Sequence, residues 1–286
     1  MIYAKVFFMA ASLALLTACT NNAQSAEESI QSAETTQEQE SAAEKEKAAK
    51  AEKEAQEKEA AEKEEIEKQK AAEEAKPDYK LNPAFWGLEP IENAEAEAVL
   101  ITIDDAPDKH ALEMAETLKE LNVPAIFFVN GHFLDTDEEK ERLKKIHDMG
   151  FAIGNHTETH ANLQAVSEEQ QQKEILTLSS TIEEVIGEKP KFFRAPQGLN
   201  SDFSRELVEK EGMLLMNWTY GYDWEKQYMD ATALTDIMVN TELLQNGANL
   251  LMHDREWTAE ALPEIVKGLS DKGYSFIDPA DIEGVK

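Results

Sequence analysis

Ala98-Val99-Leu100-Ile101-Thr102-Ile103-Asp104-Asp105-Ala106-Pro107 is the stretch that decides the fold. Its first six residues are almost continuously apolar or β-branched, the pattern of a short strand buried on both faces. Two carboxylates follow at once. The same ending recurs along the chain, for His156 with His160, Arg194, Asp223 and His253 each come after a short apolar run. In an α/β chain the strand ends are where neighbouring strands deliver side chains to one rim of the sheet. Carboxylates, imidazoles and one guanidinium gathered there are the parts of a metal-dependent hydrolase.

Working outward from that strand, helical and extended patterns alternate. Asp108 is placed to cap a helix whose apolar positions are Leu112, Ala115, Leu118 and Leu121. Ala125 to Val129 reads as a strand, Thr136 to Met149 as a charged helix stopped by Gly150, and Phe151 to Gly154 as a strand. A long helix ending near Gly187, a strand at Phe192-Phe193 and a helix from Ser201 to Glu211 follow. Met213 to Met216, a helix near Ala231 to Leu244, a strand from Ala248 to Met252, a helix ending before Gly273 and a strand from Tyr274 to Ile277 complete the series. Repeated strand-helix units with apolar strands predict a parallel sheet covered by helices. About seven such units favour a (β/α) barrel of about seven parallel strands, full or incomplete. No Gly-rich phosphate loop follows the first strand to support a nucleotide-binding open sheet.

The N-terminal quarter is of another kind. Lys5 precedes an apolar stretch from Val6 to Leu16, too short for a comfortable membrane span and proportioned like a secretory signal. Leu16-Thr17-Ala18-Cys19 resembles the end of a bacterial lipoprotein signal, where cleavage before the cysteine is coupled to lipid attachment on its sulfur. The alternative for Cys19, a buried structural thiol, lacks a surrounding fold in this segment. It is the only cysteine of the 286-residue sequence, so no disulfide forms within one chain. From Thr20 to Lys76 the composition is nearly confined to Ala, Glu, Lys, Gln and Ser, which cannot bury a core. Glu46 with Lys50, Glu54 with Lys58, Glu59 with Lys63 and Glu64 with Lys68 are spaced for contact on a helix, without an apolar heptad. The segment is a semi-rigid, partly helical stalk or a disordered linker, and Pro77 marks its end. The expected organisation is a signal over 1–19, a stalk over 20–76 and a folded domain over 77–286.

The formal net charge is −30, from 58 acidic and 28 basic residues. Nucleic acid and anionic membrane surfaces call for the opposite sign, whereas a neutral glycan is compatible.

Asn155-His156-Thr157-Glu158-Thr159-His160 sets two imidazoles four residues apart, able to share one metal ion if the segment is a helix or tight turn. A zinc protease of the His-Glu-x-x-His type needs Glu directly after the first His, and Thr157 stands there. Asp104 and Asp105 supply a carboxylate. Adjacent residues of an extended strand point to opposite sides, so one can ligate metal while the other faces substrate. Two His and one carboxylate leave coordination positions open, as in catalytic sites.

These residues resemble a known family. Thr102 to Pro107 is similar to the first motif of polysaccharide deacetylases with the NodB homology domain, carbohydrate esterase family 4. His156 to His160 resembles the second motif, Arg194-Ala195-Pro196-Gln197-Gly198 the third, Asp223-Trp224 the fourth and Leu251-Met252-His253 the fifth. The resemblance implies a distorted (β/α) barrel, in agreement with the pattern above. It also implies that Asp105, His156 and His160 hold a divalent metal, with Zn²⁺ first and Co²⁺, Ni²⁺ or Fe²⁺ as alternatives. Asp104 is implied as general base with Arg194 as its partner, and His253 as general acid oriented by Asp223. The backbone N–H of Gln197 would meet the oxyanion, and Trp224 and Leu251 would wall a pocket for the acetyl methyl. Two departures stand out: Ala106 replaces the usual Gly and Gln197 a commoner aromatic residue. His110 and His147 are expected on helix surfaces and His132 in a loop.

The sequence therefore predicts a lipid-anchored, extracytoplasmic, monomeric enzyme facing the cell wall, removing N-acetyl groups from a glycan. Peptidoglycan N-acetylglucosamine is the first choice of substrate and chitin-like oligosaccharide the second. The alternative from another class is a cell-surface glycan-binding, wall-stabilising lipoprotein that catalyses poorly.

Overall fold

The structure is a computed structural model that describes residues 77–285. The signal, Cys19 and the stalk lie outside the described residues. The strands are β1 (Tyr79–Asn82), β2 (Gly87–Pro90), β3 (Ala98–Ala106), β4 (Ala125–Val129), β5 (Ala152–Asn155), β6 (Phe192–Phe193), β7 (Leu214–Leu215), β8 (Asn249–His253) and β9 (Ser275–Phe276). The helices are α1 (Ala111–Glu120), α2 (Asp137–Asp148), α3 (Glu168–Ile186), α4 (Asp202–Lys210), α5 (Ala231–Asn240) and α6 (Glu256–Asp271). Seven strands form one sheet in the order β7-β6-β5-β4-β3-β8, with β9 pairing the first two residues of β3. Every pairing in it is parallel. A parallel bridge from Tyr220 to Leu250 brings the segment after β7 back against β8, so the sheet curls into a distorted (β/α) barrel.

The two faces of the curl carry different cores. Along β3, Val99, Ile101 and Ile103 pack under the helices with Ala125, Phe127 and Val129 of β4. The alternate residues Ala98 and Leu100 face inward with Ile126, Phe128, Phe192 and Ile277. Strands buried on both sides cannot alternate apolar with polar, which explains their continuous apolar runs. The antiparallel hairpin β1–β2 was not apparent from the sequence, because its strands are four residues each and without a clear pattern. Its Tyr79 and Leu88 join the inward core.

Helix starts follow local capping chemistry. Thr136 and Glu139 form a reciprocal capping box on α2, Ser167 caps α3, Ser201 caps α4 and Asp230 caps α5. Gly187 ends α3 with φ 85°, a conformation that suits glycine. Helix α1 departs from expectation, since Asp108 does not cap it. Its first turn is held from across the sheet, where the Asp254 carboxylate accepts from the backbone N–H groups of Lys109 (3.1 Å) and His110 (2.6 Å). Leu121 belongs to no apolar face: it lies just past the end of α1 and is exposed. Helix α5 stops at Asn240, four residues before the predicted end.

Candidate active site

The inward line of β3 runs Ala98, Leu100, Thr102, Asp104, and so delivers Asp104 to the open end of the curl with 2% of its surface exposed. Strict alternation would send Asp105 the other way. Instead Asp105 adopts φ 60° within a register shift of the β3–β4 pairing between Ile103 and Ala106. Both carboxylates therefore line one cleft, which corrects the expectation that they diverge. Holding a non-glycine residue in the left-handed region costs roughly 1–2 kcal/mol. Ala106 is paired with Val129, and its methyl group is buried in the helix-side core, so it does not occupy the cleft.

Around Asp104 the supporting side chains are buried. Arg194, with no exposed surface, donates from Nη1 to Asp104 Oδ1 at 2.6 Å and to Thr102 Oγ1 at 2.9 Å, and from Nη2 to the Asn217 carbonyl at 2.8 Å. Its guanidinium lies over the Phe128 ring, 4.2 Å from the centroid. Burial pulls the Arg194 pKa down from its ordinary value and the Asp104 carboxylate works against that pull. A buried charge left alone is costly, and this pair is matched at short range with further hydrogen bonds.

Asp105, His156 and His160 present one ligand atom each within 4.8 Å of one another. His160 Nε2 stands 3.7 Å and His156 Nε2 4.0 Å from Asp105 Oδ1, and the two rings are 5.1 Å apart. The segment is not helical. Thr157 and His160 both have positive φ in the loop after β5, and that turn brings the rings together. His156 Nδ1 sits 2.7 Å from the Arg194 carbonyl, which can only accept, so Nδ1 carries the proton and Nε2 offers its lone pair. Full burial lowers the His156 pKa, keeping the ring neutral as a ligand requires. For Asp105, burial pushes the pKa up, but His156, His253, Arg255 and His160 outweigh it and hold the group below its ordinary value. Geometry, tautomer and charge all fit a divalent ion with oxygen and nitrogen ligands.

Across the cleft, Asp223 has no exposed surface. Its carboxylate accepts from the backbone N–H of His253 (2.6 Å), from His253 Nδ1 (2.7 Å) and from the hydroxyl of Thr258 (2.8 Å). Burial works against the charged ring of His253, but the hydrogen bond and charge of Asp223, with Asp104 and Asp105 beyond, raise its pKa above the ordinary value. The ring keeps Nε2 free.

The cleft has a volume of about 340 Å³ and is also lined by Gln197, Trp218, Trp224, Leu251 and Arg255. Leu251 is buried, whereas Trp224 is 44% exposed and meets His253 edge-on at 5.4 Å. Gly221 permits that approach, since a Cβ there would lie 2.4 Å from the Leu251 carbonyl oxygen and 2.8 Å from the Trp224 ring. Gln197 has φ 58° in the short turn after β6. Every predicted catalytic, ligand and cleft residue from Asp104 to His253 thus converges on one cleft or directly supports it; Cys19 lies outside the described residues. His110 sits at the start of α1, His147 on α2 beside Glu188 (3.0 Å) and His132 in a short turn, and none of them lines the cleft.

Several contributors were missed. Thr102, Asn217 and Asn249 surround Arg194, and Thr258 supports Asp223. Trp218 adds a second aromatic wall, 6.4 Å from Trp224. Asp254 and Arg255, directly after His253, were legible by the same strand-end rule that selected the others.

The sequence matches the family model for polysaccharide deacetylase over residues 92–246, a span that ends before His253. A peptidoglycan-N-acetylglucosamine deacetylase of Bacillus cereus is 30% identical over 194 residues, covering 64% of this chain and 69% of the relative. A deacetylase solved with its substrate superposes with TM-score 0.60 at 28% identity, over 67% of this chain and 92% of the other. A carbohydrate esterase family 4 pseudoenzyme from Bacillus anthracis superposes with TM-score 0.59 at 26% identity, over 65% of each chain. A mutant of it with restored enzymatic activity is 28% identical to this chain at the same TM-score.

Proposed function

Because this chain belongs to the polysaccharide deacetylase family, enzymes that hydrolyse N-acetyl amide bonds, we propose that it is a divalent-metal-dependent deacetylase of peptidoglycan N-acetylglucosamine, held at the cell surface by a lipid on Cys19. The observation that carries the reading is the convergence on one cleft of three groups: a buried Asp104–Arg194 pair, an Asp223-oriented His253, and the ligand set Asp105, His156 and His160.

A divalent ion in that set, zinc being our first choice, would polarise the acetamide carbonyl and acidify a water molecule. Asp104 takes the proton of the attacking water on Oδ2, because Oδ1 is committed to Arg194. Gln197 offers its backbone N–H to the negative charge that develops on the carbonyl oxygen. His253 gives its Nε2 proton to the nitrogen as the C–N bond breaks, leaving acetate and an amine on the sugar. Asp223 keeps the ring oriented and favours its protonated form. Leu251 and Trp224 enclose the acetyl methyl and exclude water.

Peptidoglycan is supported by the B. cereus relative's name and by the signal-like N-terminus. Acetate release by the full chain from purified peptidoglycan and from N-acetylchitooligosaccharides, with Zn²⁺ or Co²⁺ and beside Asp104→Asn, tests the activity and the substrate. Metal-dependent release lost in the variant is expected, with peptidoglycan preferred. Lipid attachment is tested separately by Cys19→Ala, which should move the protein from the membrane fraction to the soluble one.

The likeness to a pseudoenzyme favours a second reading, a glycan-binding lipoprotein of low activity. Glycan binding without acetate release by the metal-loaded chain would establish it.

A further inference from the structure

Arg255 has no part in the chemistry above, yet its guanidinium reaches the cleft. Nη2 donates to Asp105 Oδ2 at 2.7 Å, and Nη1 donates to the Asp254 carbonyl at 2.9 Å. Asp254 is itself anchored: it is buried, its N–H donates to the Asp104 carbonyl at 3.0 Å, and its carboxylate holds the start of α1. The guanidinium therefore bridges the ends of the adjacent strands β3 and β8 through a fixed fork.

A carboxylate ligand has a soft terminal torsion and two equivalent oxygens, so by itself it can bind a metal through one oxygen, through both, or turn away. Here Oδ2 is committed to Arg255, and Oδ1 is the oxygen that faces His160 and His156. Resting on the metal-site reading above, we propose that Arg255 is a positioning residue that fixes Asp105 as a one-oxygen ligand and thereby sets the affinity and geometry of the metal centre. The bland alternative is a rim ion pair. Partly exposed pairs of that kind contribute little to stability, and Arg255 is 37% exposed at the side chain. The two roles separate in metal binding. Partners that orient ligands typically change metal affinity about 10- to 100-fold when removed, whereas a rim pair leaves it alone. Removing a cation near the ion would by itself tighten binding.

The test uses the full chain with Arg255→Ala and Arg255→Lys, titrating Zn²⁺ against a chromophoric chelator and recording the visible absorption of the Co²⁺ form. Affinity should fall about 10- to 100-fold in Arg255→Ala, with a changed Co²⁺ spectrum. Arg255→Lys keeps the charge but loses the fork, and should recover only part of both. Unchanged or tighter Zn²⁺ binding with an unchanged Co²⁺ spectrum would overturn the proposal. Should Arg255→Ala fail to fold, Arg255→Lys decides, a wild-type affinity and spectrum counting against positioning. A wild-type chain that binds neither ion would instead sink the metal-site reading itself.

Discussion

The inward face of β3 has two ends that differ in almost every respect. At the lower end Ala98 and Leu100 sit in an apolar core with Tyr79, Leu88, Ile277 and Ile282. At the upper end Thr102 and Asp104 are equally buried, but their neighbours are a guanidinium, two imidazoles and a second carboxylate. Arg194 is where the two regimes meet. Its planar group lies on Phe128, which belongs to the lower core, while its N–H groups serve Thr102 and Asp104 above. A single strand in one register thus supplies packing at one end and chemistry at the other, and the joint between them is a buried charged residue whose two terminal nitrogens are hydrogen-bonded.

The sharpest separation of the ends is in activity. Asp104→Asn keeps the shape of the upper end but removes the proton acceptor, and kcat for acetate release should drop by about 10²- to 10⁴-fold. An unimpaired rate would place the base elsewhere. Arg194→Met tests whether the upper end also holds the fold together. It leaves Asp104 buried without its cation, so urea unfolding should show a loss of about 3–5 kcal/mol; a loss below about 1 kcal/mol would mean the joint is merely local.

Leu100→Ala addresses the lower end. A cavity there should cost about 2–5 kcal/mol in the same unfolding experiment, with kcat per folded molecule unchanged; a fall in kcat would blur the division between the ends. Asp223→Asn works through pH. The raised pKa of His253 means that its stabilising contribution is fully present below about pH 6.5 and is lost as pH rises through the folded-state value. As general acid His253 must be protonated, so the alkaline limb of kcat should move to lower pH in Asp223→Asn, which removes the charge that raises its pKa. A limb that stays in place would detach His253 from that step. The smallest effect belongs to Asp254→Ala, which frees the start of α1 and should cost about 1 kcal/mol by thermal unfolding.

Most of the fold was readable because strand and helix periods are local. The apolar runs of β3, β4 and β8 and the helix starts at Thr136 and Ser201 carry their own signal. Elements that draw their stability from elsewhere were not readable. The hairpin β1–β2 depends on filling the inward core, and the start of α1 depends on Asp254, which is more than 140 residues away in sequence. The short strand β7, two half-buried residues, was placed as four.

By itself the sequence determined the α/β class and the strand-end position of the reactive residues, since each rests on residue type and short spacing; Gln197, Trp224 and Leu251 came only through the resemblance to a family, and Trp218 and Arg255 were not read. The side to which those groups point was decided only in three dimensions. Asp105 joins Asp104 because a left-handed residue and a register shift interrupt alternation, and two left-handed residues bring His160 against His156. Arg255 meets Asp105 across a separation of 150 residues, because β3 and β8 are neighbours in the sheet. Backbone angles of that kind are imposed by packing and by hydrogen bonds from other strands, and such forces leave no periodic trace in the chain.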